Sequence, residues 1–291
     1  MKTPQQTYPS LNEALGVELY LKREDLHKYK SHKGRSIPLM IKKYAKEGIV
    51  GFVISSSGNA AIAAAIAAEN HNRNNPLHPI TLHICVGKHI DPQKMKHLTA
   101  EMQSEHITIE QYERPKQKAF QMDKQGTAKF LRQSTDDSAL EGYASLADDV
   151  SKIPDVQAVF VPTSSGTTAQ ALGTTFLEKT LSIQIHIVQT TQCHPIAEVF
   201  DTSTDNTPSS AGAIVDKVAH RKDAVVDVIQ KTKGSGWIAS NDEIEQARKL
   251  IQRHAHIDIS PNSALSVAGL SKAIKNGWKW DGPVVCIITG P

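Results

Sequence analysis

The chain has 291 residues, 39% of them hydrophobic and 22% charged, with a net charge of +3. This length allows one large domain or two intimate ones around a substantial core, and the composition is that of an ordinary globular protein. The small charge, with no Lys/Arg stripe and interleaved aromatics, argues against a nucleic-acid partner, and the longest apolar stretch, residues 60–68, is too short and alanine-rich to span a bilayer, so no membrane partner is expected.

The opening MKTPQQTYPS carries no apolar run, so no secretion signal is expected. Cys85, Cys193 and Cys286 are widely spaced and odd in number, and read as buried free thiols of a reducing cytoplasm. Thirteen histidines are present, but no Cys/His spacing suggests zinc. From residue 18 onward, strand-like and helix-like segments alternate. The expected strands are 18–22, 50–55, 80–86, 158–162, 183–189 and 284–289, mostly β-branched and continuously apolar, as in parallel strands covered on both faces. The expected helices are 34–46, 59–70, 92–103, 139–152, 167–179, 242–254 and 262–276. This alternation predicts an α/β fold with right-handed crossovers. Two polar, proline-bearing stretches, 71–79 and 201–212, read as loops. Ser240 followed by Glu243 reads as a capping box.

Ligands of open α/β sheets sit beyond the carboxyl ends of strands, so the residues after each strand carry the functional signal. The first strand ends in Lys22-Arg-Glu-Asp-Leu26, and Ser31-His-Lys-Gly-Arg-Ser36 then opens a helix. A lysine at a helix start feels the positive end of the dipole, which favours its neutral, nucleophilic amine. In isolation Lys33 reads as a solvated surface lysine, and only rarely would such a residue be catalytic. After the second strand comes Ser55-Ser-Ser-Gly-Asn-Ala60, whose small residues let backbone amides approach a carboxylate. It reads equally as a helix cap. After the fourth comes Thr163-Ser-Ser-Gly-Thr-Thr168, a phosphate cradle that a nucleotide would fit as well. The last strand ends in Thr289-Gly290.

Taken together, in this order, SHKGRS, SSSGNAAIAAA, PTSSGTTAQAL, SPNSALSVAGL and IITG resemble the fold-type II pyridoxal-phosphate (PLP) enzymes. This family is related to the tryptophan synthase β subunit and includes threonine synthase, serine/threonine dehydratases and cysteine synthase. The resemblance covers nearly the whole chain and implies a two-lobed, three-layer α/β/α fold with mostly parallel sheets. A large cofactor-binding domain would take residues 1–35 and 143–291, and a smaller domain, 36–142, would carry the asparagine loop. By resemblance, Lys33 forms the Schiff base and moves the Cα proton, and Asn59 bonds the cofactor's O3′. Ser164, Ser165, Gly166, Thr167 and Thr168 bind its phosphate, Ser56, Ser57 and Gly58 receive the substrate carboxylate, and Thr289 meets the pyridine nitrogen. A neutral hydroxyl there makes the ring a weaker electron sink than a carboxylate partner would. The implied activity is β-elimination or replacement on a small amino acid through an aminoacrylate or aminocrotonate intermediate, in the style of threonine synthase. Serine/threonine dehydratase or cysteine synthase activity, or non-catalytic binding of PLP or a nucleotide, are the alternatives. Family practice implies a homodimer. Two departures stand out: His32 precedes the lysine, and the chain ends at Pro291 directly after Thr-Gly, where threonine synthases continue.

Overall fold

The β-branched runs and helical periods fold into two sheets, one in each of two compact units: residues 1–27 with 143–291, and residues 28–142. The computed structural model describes residues 2–203 and 205–290.

In chain order the elements begin β1 (Gln5–Thr7), α1 (Pro9–Leu15) and β2 (Leu19–Arg23), followed by 3-10 turns at Glu24–Leu26 and His32–Arg35. Then come α2 (Ile37–Lys46), β3 (Gly51–Ser55), α3 (Asn59–Asn74), β4 (Thr81–Gly87), α4 (Pro92–Thr99), β5 (Ile107–Tyr112), α5 (Pro115–Lys124) and β6 (Lys129–Phe130). The chain continues through α6 (Ser138–Val150), β7 (Ala158–Pro162), α7 (Thr167–Glu178), β8 (Gln184–Thr190), a 3-10 turn at Ala197–Val199, α8 (Lys222–Lys231), β9 (Ser235–Ala239), α9 (Asn241–Ala255), α10 (Pro261–Lys275) and β10 (Val284–Ile288).

The larger unit holds a sheet of order β1-β2-β10-β7-β8-β9, in which only β1 runs antiparallel. Every residue of β10 is buried, as a central parallel strand requires. Its core gathers Leu19, Leu21, Phe160, Val188, Leu265 and Ile288. Close packing of α10 on the sheet depends on Gly269, where an added Cβ would stand 2.3 Å from Val188 Cγ2.

The smaller unit holds an all-parallel sheet of order β5-β4-β3-β6. Its core joins Phe52, Ile54 and Ile84 to Met40 and Ile41 of α2 and to the alanine face of α3. Ala61, Ala64, Ala65 and Ala68 are fully buried, so the short side chains let α3 lie close to its neighbours.

The α/β class with mostly parallel sheets is as expected, and four local expectations are corrected. The helix expected from residue 34 is broken: Pro38 lacks the N–H that would bond the carbonyl four residues back, so the segment before it closes as a separate 3-10 turn. Half of the stretch 71–79 is helical, because buried Asn72 bonds both N–H and C=O of Ile80 and draws α3 on to Asn74. The helix expected over 92–103 stops at Thr99, the next turn bonding as Glu101 N to Leu98 O and Met102 N to Thr99 O. Elements β1, α1, β5, α5, β6, α8 and β9 were not expected; the strands among them are edge strands, short or rich in polar residues. Stretch 201–212 has no regular structure among its described residues, Thr204 lying outside them. Ser240 and Glu243 form the capping box, each side chain bonding the other's backbone N–H.

Candidate functional site

Both units reverse strand order once, and ligands of α/β sheets bind at such reversals. In the larger unit the chain runs outward through β7, β8 and β9 and returns to place β10 on the other side of β7. Parallel register pairs Cys286 with Phe160, so Thr289 and Thr163 each lie three residues further on, beyond the same end of the sheet. In the smaller unit β3, β4 and β5 run outward and β6 returns to the other side of β3. The Ser55–Asn59 loop leaves that reversal.

At the end of β7, the loop Thr163–Gly166 leads into α7. Gly166 takes φ +88°, and an added Cβ would stand 2.6 Å from Val225 Cγ2, so only glycine fits. The cap residue of α7, Gly166, has no side chain to bond the first turn, and the helix dipole adds positive potential at this end, where an anion is favoured. Ser165 and Thr167 hydroxyls stand 2.9 Å apart. Thr167 and Thr168 are buried. Ser164 differs from its neighbours: its oxygen accepts hydrogen bonds from the Val215 and Asp216 amides, at 3.1 and 3.2 Å, and so ties the loop before α8 to this turn.

Thr289 is buried at the end of β10. Its turn is gripped from the start of α10: Ser260 and Ser263 hydroxyls both donate to the Gly290 carbonyl, at 2.6 and 2.8 Å. Neither serine was among the residues expected at the site. The signal available in sequence was their spacing at a helix cap, Ser260-Pro-Asn-Ser263. Cys286, three residues before Thr289, is fully buried, and burial pushes its thiol well above the ordinary range, so it is not a ready nucleophile.

In the smaller unit, Ser56 Oγ accepts from the Gly58 amide at 3.2 Å. Ser56, Ser57, Gly58 and Asn59 are all half-buried. No side chain among the described residues caps α3, and an added Cβ at Gly58 would meet nothing within 4 Å. Lys33 is half-buried in the 3-10 turn His32–Arg35. It therefore precedes α2 rather than opening it, and the dipole argument for its amine falls away. The nearby charges of the first strand end are scaffold. Lys22 is fully buried in the larger unit, donating to the Thr3 carbonyl at 3.0 Å and to Asp149 at 3.1 Å. Arg23 is held by Asp25 at 2.7 Å, and that hydrogen bond keeps its guanidinium above its ordinary pKa.

The residues present fit a phosphorylated, polar-ringed aldehyde. The uncapped start of α7 suits its phosphate. Ser31 Oγ, fully buried two residues before Lys33, has no hydrogen-bond partner among the described residues, a need that a polar group bound at Lys33 would meet.

Two parallel-sheet units, each with a small-residue loop at its reversal and a lysine in a tight turn, define a class of α/β proteins that bind an anionic small molecule beyond the strand ends. The chain belongs to the pyridoxal-phosphate dependent enzyme family, whose family model matches residues 1–290. Among relatives, threonine synthase of Mycobacterium tuberculosis is 43% identical over 68 residues, 23% of this chain and 19% of that protein. The biosynthetic L-threonine dehydratase of Haemophilus influenzae is 22% identical over 99% of this chain, and the chain spans 56% of its length. Among solved structures, maize serine racemase matches with a TM-score of 0.82 at 17% identity, covering 100% of this chain and 88% of that one. That likeness shows the shared fold, the fold-type II architecture.

Proposed function

We propose that this chain is an amino-acid lyase or synthase that removes a proton from Cα and a leaving group from the side chain, in the manner of threonine synthases and threonine dehydratases. The observation that supports this reading is the placing of the polar loops at both strand-order reversals. The phosphate-type loop and Thr289 leave adjacent parallel strands β7 and β10, and the asparagine loop leaves β3.

When bound, pyridoxal phosphate draws electron density from Cα of the amino acid joined to it and so eases both departures. The chain's own residues then have separable tasks. Amides at the start of α7, with Ser165, Thr167 and Thr168, hold the phosphate, and Ser164 contributes while it anchors the 215–216 loop. Asn59 bonds the ring oxygen O3′. Ser56, Ser57 and Gly58 take the substrate carboxylate at the positive end of the α3 dipole. Lys33 would hold the cofactor through its Nζ and would serve as the base that takes the Cα proton. Thr289 meets the ring nitrogen with a neutral hydroxyl, which leaves that nitrogen less readily protonated than a carboxylate would, and so favours departure at Cβ over transamination. In this reading the larger unit binds the phosphate and ring nitrogen and the smaller carries the asparagine loop.

Purified protein is expected to be yellow, with borohydride fixing the cofactor on Lys33. Lys33→Ala is expected to lose that fixation and to lower turnover by about 10²–10⁴-fold, the range for a positioned acid–base group. The assay is a screen of serine, threonine, O-phosphohomoserine and O-acetylserine for ketoacid, phosphate or thiol-dependent products. A colourless protein that cannot be reconstituted with pyridoxal phosphate would sink the reading, and undiminished turnover in Lys33→Ala would remove that lysine from the mechanism.

A further inference from the structure

We infer that Ser263 is a positioning residue for Thr289, a role that rests on reading Thr289 as the partner of the ring nitrogen. Ser263 lies in the first turn of α10 and is 1% exposed. Its hydroxyl donates to the Gly290 carbonyl at 2.8 Å and accepts from the Gly290 amide at 3.2 Å. One hydroxyl thus holds both backbone groups of the residue after Thr289. The Gly290 amide belongs to the peptide that follows Thr289, so fixing it fixes the backbone rotation at Thr289.

A hydroxyl has one proton and two lone pairs. The proton goes to the Gly290 carbonyl, the shorter contact, and one lone pair takes the Gly290 amide. Two further oxygens stand near the Ser263 hydroxyl, Ser260 Oγ at 3.2 Å and Thr289 Oγ1 at 3.4 Å; the Thr289 contact lies beyond the ordinary O–H···O range, so it guides more than it binds. Threonine is stiff about χ1, and a fixed backbone with a neighbour on one side leaves its hydroxyl little choice of direction. Ser260 completes the clasp: its oxygen caps α10 through the Ser263 amide at 3.2 Å, while its proton goes to the Gly290 carbonyl at 2.6 Å. Gly290 sits at φ +138°, a conformation that side chains other than glycine's rarely adopt. The strand end is therefore held by helix α10 as well as by its sheet neighbours.

A double-mutant cycle on cofactor affinity tests this, run on the full chain with Ser263→Ala, Thr289→Ala and the pair, alongside the ring-nitrogen NMR shift of ¹⁵N-labelled pyridoxal phosphate. Ser263→Ala is expected to weaken cofactor binding by about tenfold, the loss of roughly one well-placed hydrogen bond. The ring-nitrogen shift should move toward the value seen in Thr289→Ala. In the Thr289→Ala background the same change should weaken binding by less than about twofold. Equal losses in both backgrounds, or an unchanged nitrogen shift, overturn the role of Ser263 while leaving the functional reading intact. A wild-type chain that takes up no cofactor overturns the functional reading and this role with it. Should Ser263→Ala fail to fold, Ser263→Cys keeps the volume with a weaker donor, and the same cycle and shift decide.

Discussion

Lysines and glycines carry most of what is decided at single residues. Lys22 and Lys33 both sit in the charged stretch that follows the first strand signal, and their surroundings separate them. Lys22 is sealed beside Asp149, where removing one partner would strand a buried charge. Lys33 lies in a half-buried turn next to an orphaned serine hydroxyl. Gly166 is demanded twice, by its positive φ and by Val225. Gly166→Ala is expected to lower stability by about 1–3 kcal/mol. It should weaken pyridoxal-phosphate binding more than it weakens folding, because the same turn aims the α7 amides. Comparing the thermal midpoint of the apo-protein with a cofactor titration checks this, and a loss confined to stability would show that the turn is only scaffold.

At the scale of elements, helix starts divide into capped and uncapped. Ser240 at α9, Ser260 at α10 and Asp91 at α4 each satisfy first-turn amides with their side chains. Among the described residues, the cap residues of α1, α2, α3, α5, α7 and α8 make no such bond, and of these α3 and α7 follow the candidate loops. Ser240→Ala is expected to cost about 1 kcal/mol of stability with cofactor affinity unchanged. Denaturant melts and a cofactor titration on one variant read both, and an equal loss in affinity would show that this cap serves the cofactor site as well as α9.

Across the molecule, all three tryptophans lie in the larger unit, gathered about one histidine. His186 is fully buried, stacks on Phe160 with centroids 4.5 Å apart, and accepts from Trp237 Nε1 on its Nδ1 at 3.2 Å. Its Nε2 faces Gln184 Oε1 at 3.2 Å, and the same oxygen accepts from Trp280 Nε1 at 2.8 Å. With Nδ1 an acceptor, the neutral ring carries its proton on Nε2. Burial pushes the pKa down from 6.5 to about 3. The folded state therefore refuses a proton that the unfolded chain accepts. Stability from this group is whole above pH 6.5 and is lost progressively as pH falls toward 3. Tryptophan fluorescence reports this unit specifically, because residues 28–142 contain no tryptophan. Its denaturation midpoint is expected to drop between pH 6.5 and 4. His186→Phe keeps an aromatic ring in the stack but cannot titrate, so it should start lower at pH 7 and fall less steeply. Parallel slopes would place the acid sensitivity elsewhere.

Local pattern carried the class of fold and the order of the loops, because hydrophobic period and turn composition are properties of neighbouring residues, whereas the cofactor family was legible only from the resemblance of the five motifs taken together. The continuously apolar runs at β3, β4, β7, β8 and β10 were legible for that reason. Edge strands β1, β5, β6 and β9 were not: their pairing depends on what lies beside them, the runs of β1, β5 and β6 are polar or very short and carry no period, and β9 opens on Ser235-Gly236 with only three apolar residues after them. The break before α2 was readable in principle from Pro38, yet its consequence, Lys33 in a 3-10 turn outside the helix, appeared only in the folded backbone. The serine pair behind Thr289 shows the same boundary most sharply. Ser263 and Gly290 are 27 residues apart, and nothing local to either marks the other. By itself the sequence determined which chemistries the chain carries and in what order. Tertiary structure alone decided which hydroxyls hold the backbone, because that depends on groups distant in the chain meeting within hydrogen-bond distance.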